Sequence, residues 1–200
     1  MKIACLHTMA SNIELFENAA PVDVELSHTV REDLLQRALA AGAADEGILE
    51  ETAEALKALS GDAILLTCST IGPAAPRAGA VRVDAALADA AAEAAASAKL
   101  DVLVTAPSTV GPTRDLFEAS ARKTGALVNI VMVEGAIELL QSGELDAYAK
   151  CIAEAADAST SEVVALAQAS MTPAAAFAKR KVLTSPEAGL QAAITAAGPV

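Results

Sequence analysis

The segment that decides the fold reads Ile64-Leu65-Leu66-Thr67-Cys68-Ser69-Thr70-Ile71-Gly72-Pro73-Ala74-Ala75. It begins as an apolar run of strand length, breaks at small hydroxyl residues and reaches a proline where a helix would begin. A second segment repeats this plan 100 residues later and reads Val164-Ala165-Leu166-Ala167-Gln168-Ala169-Ser170-Met171-Thr172-Pro173-Ala174-Ala175. When the two are superposed, Cys68 falls on Gln168 and Thr70 on Ser170. The sequence therefore predicts two similar halves, one with a thiol where the other has an amide.

Composition and charge limit the class of protein. The chain has 200 residues, of which 54% are hydrophobic and 2% aromatic, and its net charge is −12. This length is enough for one sizeable domain or two small ones with a real core. The negative charge argues against a nucleic-acid partner, because Lys and Arg supply much of the affinity for phosphates. We expect no membrane association, since Asp89 and Glu93 interrupt the long alanine-rich run 85–98.

The cysteines and the first residues indicate the compartment. Cys5, Cys68 and Cys151 are widely spaced and form no C-x-x-C motif, which fits a reducing compartment better than a disulfide framework or a zinc site. The apolar start reaches His7 after a few residues, so we expect no signal peptide and a cytoplasmic location. The sequence has no glycine-rich nucleotide motif, and its two histidines lack metal-ligand spacing. We therefore expect neither a cofactor nor a metal.

Strands alternate with helices along the whole chain. This order predicts an α/β fold of two pseudo-symmetric halves, each a parallel sheet flanked by helices, with a cleft between them. The predicted halves are residues 1–98 plus 183–200, and residues 99–182. Among the predicted elements are a strand at 22–26, a helix capped by Thr29 and Glu32, and a last short strand at 182–184. The alanine-rich helices are compatible with a homodimer.

Short polar residues follow most of the predicted strands. Ligands of parallel sheets bind beyond the carboxyl ends of the strands, so these residues are the candidates for a site. Hydroxyl and backbone N–H donors suit a small polar ligand, and a small carboxylate fits them best. The candidate substrate-binding residues are Thr8, Ser69, Thr70, Thr105, Ser108, Thr109, Gln168, Ala169 and Ser170.

Two side chains in these positions could perform chemistry. Cys68 follows a buried strand and precedes a helix N-terminus, where N–H groups and the helix dipole lower the pKa of a thiol. The alternative is that Cys68 is a small buried hydrophobic residue, as most free cysteines are. His7 also lies at a strand end and could polarise a ligand or titrate near neutral pH. For His7, a structural hydrogen bond to a loop carbonyl is an equally good interpretation.

Several of these motifs resemble the aspartate/glutamate/hydantoin racemase superfamily. They are Thr-Cys-Ser-Thr at 67–70, Thr-x-Pro-x-Thr at 105–109, Leu-Ala-Gln-Ala-Ser-Met at 166–171 and Val-Leu-Thr-Ser-Pro at 182–186. The resemblance extends over nearly the whole chain. It implies amino acid metabolism without a cofactor, in an active site between two pseudo-symmetric halves. It also implies one catalytic cysteine from each half, on opposite faces of the substrate α-carbon.

This sequence departs from that pattern at one position. Cys68 matches the first cysteine, but Gln168 stands where the second would be, and an amide does not titrate near neutral pH. One hypothesis is an isomerase or racemase-like enzyme that uses Cys68 alone for proton transfer or thiol addition. A one-cysteine decarboxylase-type lyase is an alternative to it. Another is a racemase whose second base is His7. The remaining alternative is a carboxylate-binding protein without catalysis.

Overall fold

The computed structural model describes residues 1–198 and consists of two compact units. The first comprises Met1–Ala86 and the closing segment that begins at Pro186, and the second is Leu87–Ser185. Each unit contains a parallel sheet with helices, which confirms the predicted α/β class. Positions 199 and 200 of the predicted first half lie outside the described residues.

The first unit is built on a four-stranded parallel sheet of order β2-β1-β3-β4. The central strand β1 is almost entirely buried, so both of its faces are covered. The elements of this unit are β1 Lys2–His7, α1 Asn12–Ala19, β2 Glu25–Val30, α2 Glu32–Ala41, α3 Glu46–Lys57, β3 Ala63–Leu66, β4 Val81–Arg82, the start of α4 Val83–Ala95, and α8 Ser185–Ala197. A 3₁₀ helix, Gly72–Ala78, follows β3.

The second unit repeats this plan with three strands in the order β6-β5-β7. Its central strand β5 is again buried on both faces. The elements are the rest of α4, β5 Lys99–Val104, α5 Pro107–Ala121, β6 Leu127–Met132, α6 Ala136–Gln141, α7 Leu145–Ala158 and β7 Val163–Leu166. A 3₁₀ helix, Ala169–Ala176, follows β7, where a helix after Pro173 was expected.

The strands of the two sheets are paired in equivalent registers, so residues of one sheet can be matched to residues of the other. In the first unit Thr67 N donates to Leu6 O at 3.0 Å, and in the second Ala167 N donates to Leu103 O at 3.1 Å. Leu6 of β1 therefore corresponds to Leu103 of β5, and the residue that follows each strand is a threonine, Thr8 or Thr105. The predicted pseudo-symmetry thus extends to individual residues of the sheets.

Three of the predicted local elements differ in the structure. The strand predicted at 22–26 is displaced along the chain, because Val24 N closes a turn onto Pro21 O and β2 begins only at Glu25. Thr29 lies inside β2 and caps nothing, and α2 begins at Glu32 after Arg31. At 182–184 only a single parallel bridge forms, between Leu183 and Ala165.

Aliphatic side chains and alanines fill each core, with one phenylalanine at the centre of each unit. Phe16 on α1 and Phe117 on α5 are both fully buried. The alanines of α4 and α7 pack against the second sheet, where their small side chains allow close helix packing. Among the helices of residues 1–198, none is both long and apolar enough to cross a membrane.

Candidate active site

Cys68 lies two residues beyond the end of β3, in the turn that leads into the 3₁₀ helix Gly72–Ala78. Its side chain is 8% exposed. The side chains of Thr8 and Thr70 and the backbone N–H groups of Thr70 and Ile71 lie around the sulfur and lower the pKa of Cys68, because they favour its thiolate form. The structure therefore brings together three of the predicted site residues of the first unit, Thr8, Cys68 and Thr70. Ser69 is buried next to them in the chain.

The expected depression of the Cys68 pKa is wrong. Burial raises the pKa of the Cys68 thiol above its ordinary value. The donor groups around the sulfur act in the opposite direction, but they are outweighed. The following 3₁₀ helix is only 7 residues long, so its dipole gives little help. In the free protein Cys68 is therefore a protonated thiol that is already surrounded by donors for a thiolate.

Gln168 occupies the corresponding place in the second unit, two residues beyond β7. Its Oε1 accepts from Thr105 N at 2.7 Å and from Thr105 Oγ1 at 3.2 Å. Within residues 1–198 the side-chain nitrogen of Gln168 has no hydrogen-bond partner. The amide therefore stabilises the end of β5 through its oxygen and keeps its NH₂ group as a donor.

Tyr148 of α7 completes this polar group, and sequence reasoning missed it. Its hydroxyl lies 3.0 Å from Ser170 Oγ and 3.4 Å from Thr105 Oγ1. Burial raises the pKa of Tyr148, while the hydrogen bonds with Ser170 and Thr105 lower it. The signal in the sequence was faint: Tyr148 is the one tyrosine of the chain and lies in an alanine-rich helix far from any strand end.

Two further predicted residues lie at the N-terminus of α5. Ser108 and Thr109 are both buried, and the Oγ of Ser108 has no hydrogen-bond partner within the described part of the chain. A buried hydroxyl without a partner is uncommon, and a ligand group would satisfy it. Ala169 is buried and can offer only its backbone to a ligand.

The hydrogen bonds of His7 are made with residues other than Cys68. Both ring nitrogens are engaged within the protein: Nδ1 lies 2.9 Å from Thr67 Oγ1, and Nε2 lies 2.9 Å from Nδ1 of His28. Burial, with the nearby His28, lowers the pKa of His7 to about 4. The role of His7 as a second base stays a prediction, and this geometry does not favour it.

Comparison with solved structures gives the class of fold. Aspartate racemase from Picrophilus torridus is similar with a TM-score of 0.73 and 16% identity, covering 98% of this chain and 94% of its own. Allantoin racemase from Pseudomonas fluorescens gives a TM-score of 0.63 and 18% identity, covering 98% of this chain and 90% of its own. A variant of arylmalonate decarboxylase gives 0.56 and 14%, covering 99% and 94%.

The chain therefore has the same fold as these racemases and this decarboxylase, which is the fold that the resemblance of the sequence motifs implied. Its sequence matches no protein-family model. No curated protein matches the sequence either. Because these structures perform different reactions at such low identity, the similarity defines the fold and leaves the reaction to the site itself.

Proposed function

We propose that this protein is a racemase-like enzyme that transfers a proton at the α-carbon of a small carboxylic acid without a cofactor. The observation that carries the proposal is the environment of Cys68, a buried thiol two residues beyond the carboxyl end of a parallel strand, where hydroxyl and backbone N–H groups of Thr8, Thr70 and Ile71 favour its thiolate form. Donors of this kind stabilise a thiolate, which is the form that removes a proton or adds to a double bond. Proteins with the same fold include racemases and a decarboxylase.

In the proposed reaction, the Cys68 thiol first gives its proton to solvent. The thiolate then takes the α-proton of the substrate, and the resulting thiol returns a proton to the same face of the carbon after exchange with solvent. Negative charge then develops on the substrate carboxylate as the enolate forms, and preorganised donors stabilise it. Gln168 cannot itself accept or supply a proton near neutral pH. We therefore propose exchange on one face of the α-carbon.

Hydrogen–deuterium exchange tests this proposal directly. The protein is incubated in D₂O with aspartate, glutamate, allantoin and a panel of small diacids, and the α-proton is followed by NMR while chiral chromatography follows inversion. We expect exchange of the α-proton of at least one acid with little inversion, and loss of that exchange in Cys68→Ser. The control Cys151→Ser changes a half-buried cysteine in α7 and should keep full activity. Exchange that persists in Cys68→Ser would refute the proposed role of this thiol.

A carboxylate-binding protein without catalysis is the second candidate. Two observations favour it: burial raises the pKa of Cys68, and an amide replaces the second thiol. In that case the same acids raise the melting temperature but undergo neither exchange nor turnover. A cytoplasmic location and assembly into a homodimer also stay proposals, and light scattering of the purified chain tests the second.

A further inference from the structure

A polar cluster lies on one face of the first sheet, in the part of the chain that the racemase-like reaction does not use. Cys5 and His7 are two residues apart on β1, so their side chains share a face, and His28 of β2 is paired with Cys5 in the register of the sheet. The Cys5 sulfur and one ring nitrogen from each histidine all lie within 4.8 Å of one another. Cys5 and His7 are fully buried, and the His28 side chain is 15% exposed.

The equivalent positions in the second unit are occupied by apolar residues. In the shared register, the residues that correspond to Cys5, His7 and His28 are Val102, Val104 and Ile130. All three pack in the apolar core of the second unit. Thr67, which contacts His7, corresponds to Ala167. The fold therefore needs no polar group here, and the first unit carries four of them.

Each imidazole has one nitrogen that faces away from the other histidine, here called its outer nitrogen. A hydrogen bond at this outer nitrogen fixes the orientation of the ring. The Thr67 hydroxyl donates to Leu6 O at 3.1 Å, so its oxygen accepts the hydrogen of His7 Nδ1 at 2.9 Å. On the other side, His28 Nε2 donates to the Glu17 carboxylate at 2.7 Å. Metal-binding histidines are oriented in this way, with the nitrogen that does not bind the metal donating to a carboxylate or another oxygen.

These contacts leave His7 Nε2 and His28 Nδ1 directed at each other, 2.9 Å apart. With both outer nitrogens acting as donors, the two inner nitrogens each present a lone pair, and a cation must lie between them. That cation is either a shared proton or a metal ion. The adjacent Cys5 sulfur is a third ligand of the type that Zn²⁺ prefers, which a proton bridge does not require.

We propose that Cys5, His7 and His28 form a Zn²⁺ site, with water in the fourth position and Thr67 and Glu17 as orienting partners. When Zn²⁺ binds, the Cys5 thiol proton and the proton shared by the two imidazoles pass to solvent. Zinc bonds of about 2.0–2.3 Å place tetrahedral ligand atoms roughly 3.5 Å apart, so the imidazoles separate slightly and the small Cys5 side chain turns inward. The Glu17 carboxylate balances the charge of the ion.

The proposed ion would stabilise the end of β1 that leads to the candidate active site. Helix α1 supplies Glu17 and strand β2 supplies His28, so the ion ties both to β1. Thr8, which donates to the Cys68 sulfur, directly follows His7. Sequence spacing does not reveal this site, because His28 lies 21 residues from His7 and reaches it only through the β1–β2 register. The inference does not depend on the proposed reaction.

Metal titration of the purified chain tests the proposal. After removal of metal with a chelator, Zn²⁺ is titrated against a chromophoric competitor, and Co²⁺ is added separately as a spectroscopic probe. We expect one Zn²⁺ per chain and, with Co²⁺, a thiolate charge-transfer band together with the visible bands of tetrahedral coordination. Cys5→Ser should lose the charge-transfer band, and Glu17→Gln should weaken Zn²⁺ binding by about 10- to 100-fold.

The second unit supplies the matched control. A triple variant, Cys5→Val with His7→Val and His28→Ile, copies its apolar residues and should fold, as circular dichroism can verify, yet bind no Zn²⁺. Cys68→Ser and Cys151→Ser should bind Zn²⁺ as the unchanged chain does, whether or not the exchange reaction is found. Absence of stoichiometric Zn²⁺ binding in the unchanged chain, or its persistence in the triple variant, would overturn the proposal.

Discussion

The ends of the two central strands make the same contact with different chemistry. In the first unit Thr8, one residue beyond β1, donates to the Cys68 sulfur two residues beyond β3. In the second unit Thr105, one residue beyond β5, donates to the Gln168 side chain two residues beyond β7. The threonine contact is therefore repeated in both halves, although the following 3₁₀ helix begins at Gly72 in the first half and already at Ala169 in the second.

Because of this difference, Cys68 can become charged and react, whereas Gln168 can only form hydrogen bonds. The donor groups around the Cys68 sulfur favour a negative charge on it, while the amide oxygen of Gln168 accepts two hydrogen bonds and cannot change its charge. Gln168 instead pairs with the backbone of Thr105, which no thiol in that place would do as strongly. In the second half Gln168 therefore stabilises the strand end, and under the proposed reaction Cys68 of the first half transfers the proton.

The largest effect is expected from Cys68→Ser. If the first half alone transfers protons, this change should lower the rate of α-proton exchange by about 10²- to 10⁴-fold, which is the usual contribution of a positioned acid or base. A serine hydroxyl keeps most of the hydrogen bonds, so the melting temperature should change little. Exchange rates by NMR and a thermal melt measure the two effects, and Cys151→Ser is the control. An unchanged exchange rate would remove the functional distinction between the halves.

Gln168→Leu should act chiefly on stability. The change leaves the buried Thr105 N–H without its 2.7 Å acceptor, which costs about 1–3 kcal/mol in the free energy of unfolding. Denaturant unfolding measures this cost. Gln168→Glu keeps an acceptor oxygen at the same position and should recover most of the stability. Equal losses in both variants would show that the Thr105 contact is not what Gln168 contributes.

Tyr148→Phe should have a smaller effect on the same measurement. The change removes the hydroxyl that lies 3.0 Å from Ser170 Oγ but keeps the buried ring, so we expect a loss of about 1 kcal/mol. Because the ring still fills its place in the core, the steepness of the unfolding transition should not change. A loss well above this value would indicate that the tyrosine hydroxyl stabilises more of the turn after β7 than its two contacts suggest.

Much of the fold could be predicted from the sequence because short stretches of the chain are enough to recognise its strands and its repeat. The buried runs of β1, β3, β5 and β7 and the 100-residue repeat of the Cys68 and Gln168 segments are visible in any reading of the chain. Predictions of local elements failed where a sequence pattern suggested one conformation and a neighbouring residue imposed another. The alternation at 22–26 suggests a strand, but Pro21 starts a turn there and displaces β2 to Glu25.

The positions of the candidate residues at strand ends could be predicted from the sequence, but the pKa shift of Cys68 could not. Topology places Thr8, Cys68, Thr105 and Gln168 at strand ends, and the structure shows that they pair as Thr8–Cys68 and Thr105–Gln168. The direction of the Cys68 pKa shift depends on how deeply the turn is buried, which no local pattern specifies. Tyr148 reaches the site from α7, and the contact between His7 and His28 depends on strand register. Such long-range contacts become visible only in three dimensions.

The smallest and most discriminating effects are expected from the matched pair Thr8→Val and Thr105→Val. Valine keeps the shape of threonine and removes only the hydroxyl. In Thr8→Val the Cys68 sulfur loses a donor that favours the thiolate, so its raised pKa should rise further and alkylation by iodoacetamide should begin at higher pH. In Thr105→Val the stronger contact of Gln168, to the backbone N–H of residue 105, remains.

The Thr105→Val variant should therefore leave the alkylation profile of Cys68 unchanged and lower the free energy of unfolding by no more than about 1 kcal/mol. Mass spectrometry of the alkylated peptides follows Cys68 separately from Cys5 and Cys151, and denaturant unfolding gives the stability of both variants. If Thr8→Val left the profile of Cys68 where it was, the hydroxyl would not be tuning the thiol. The two threonines would then have the same structural role, and the difference between the halves would reside in Cys68 and Gln168 alone.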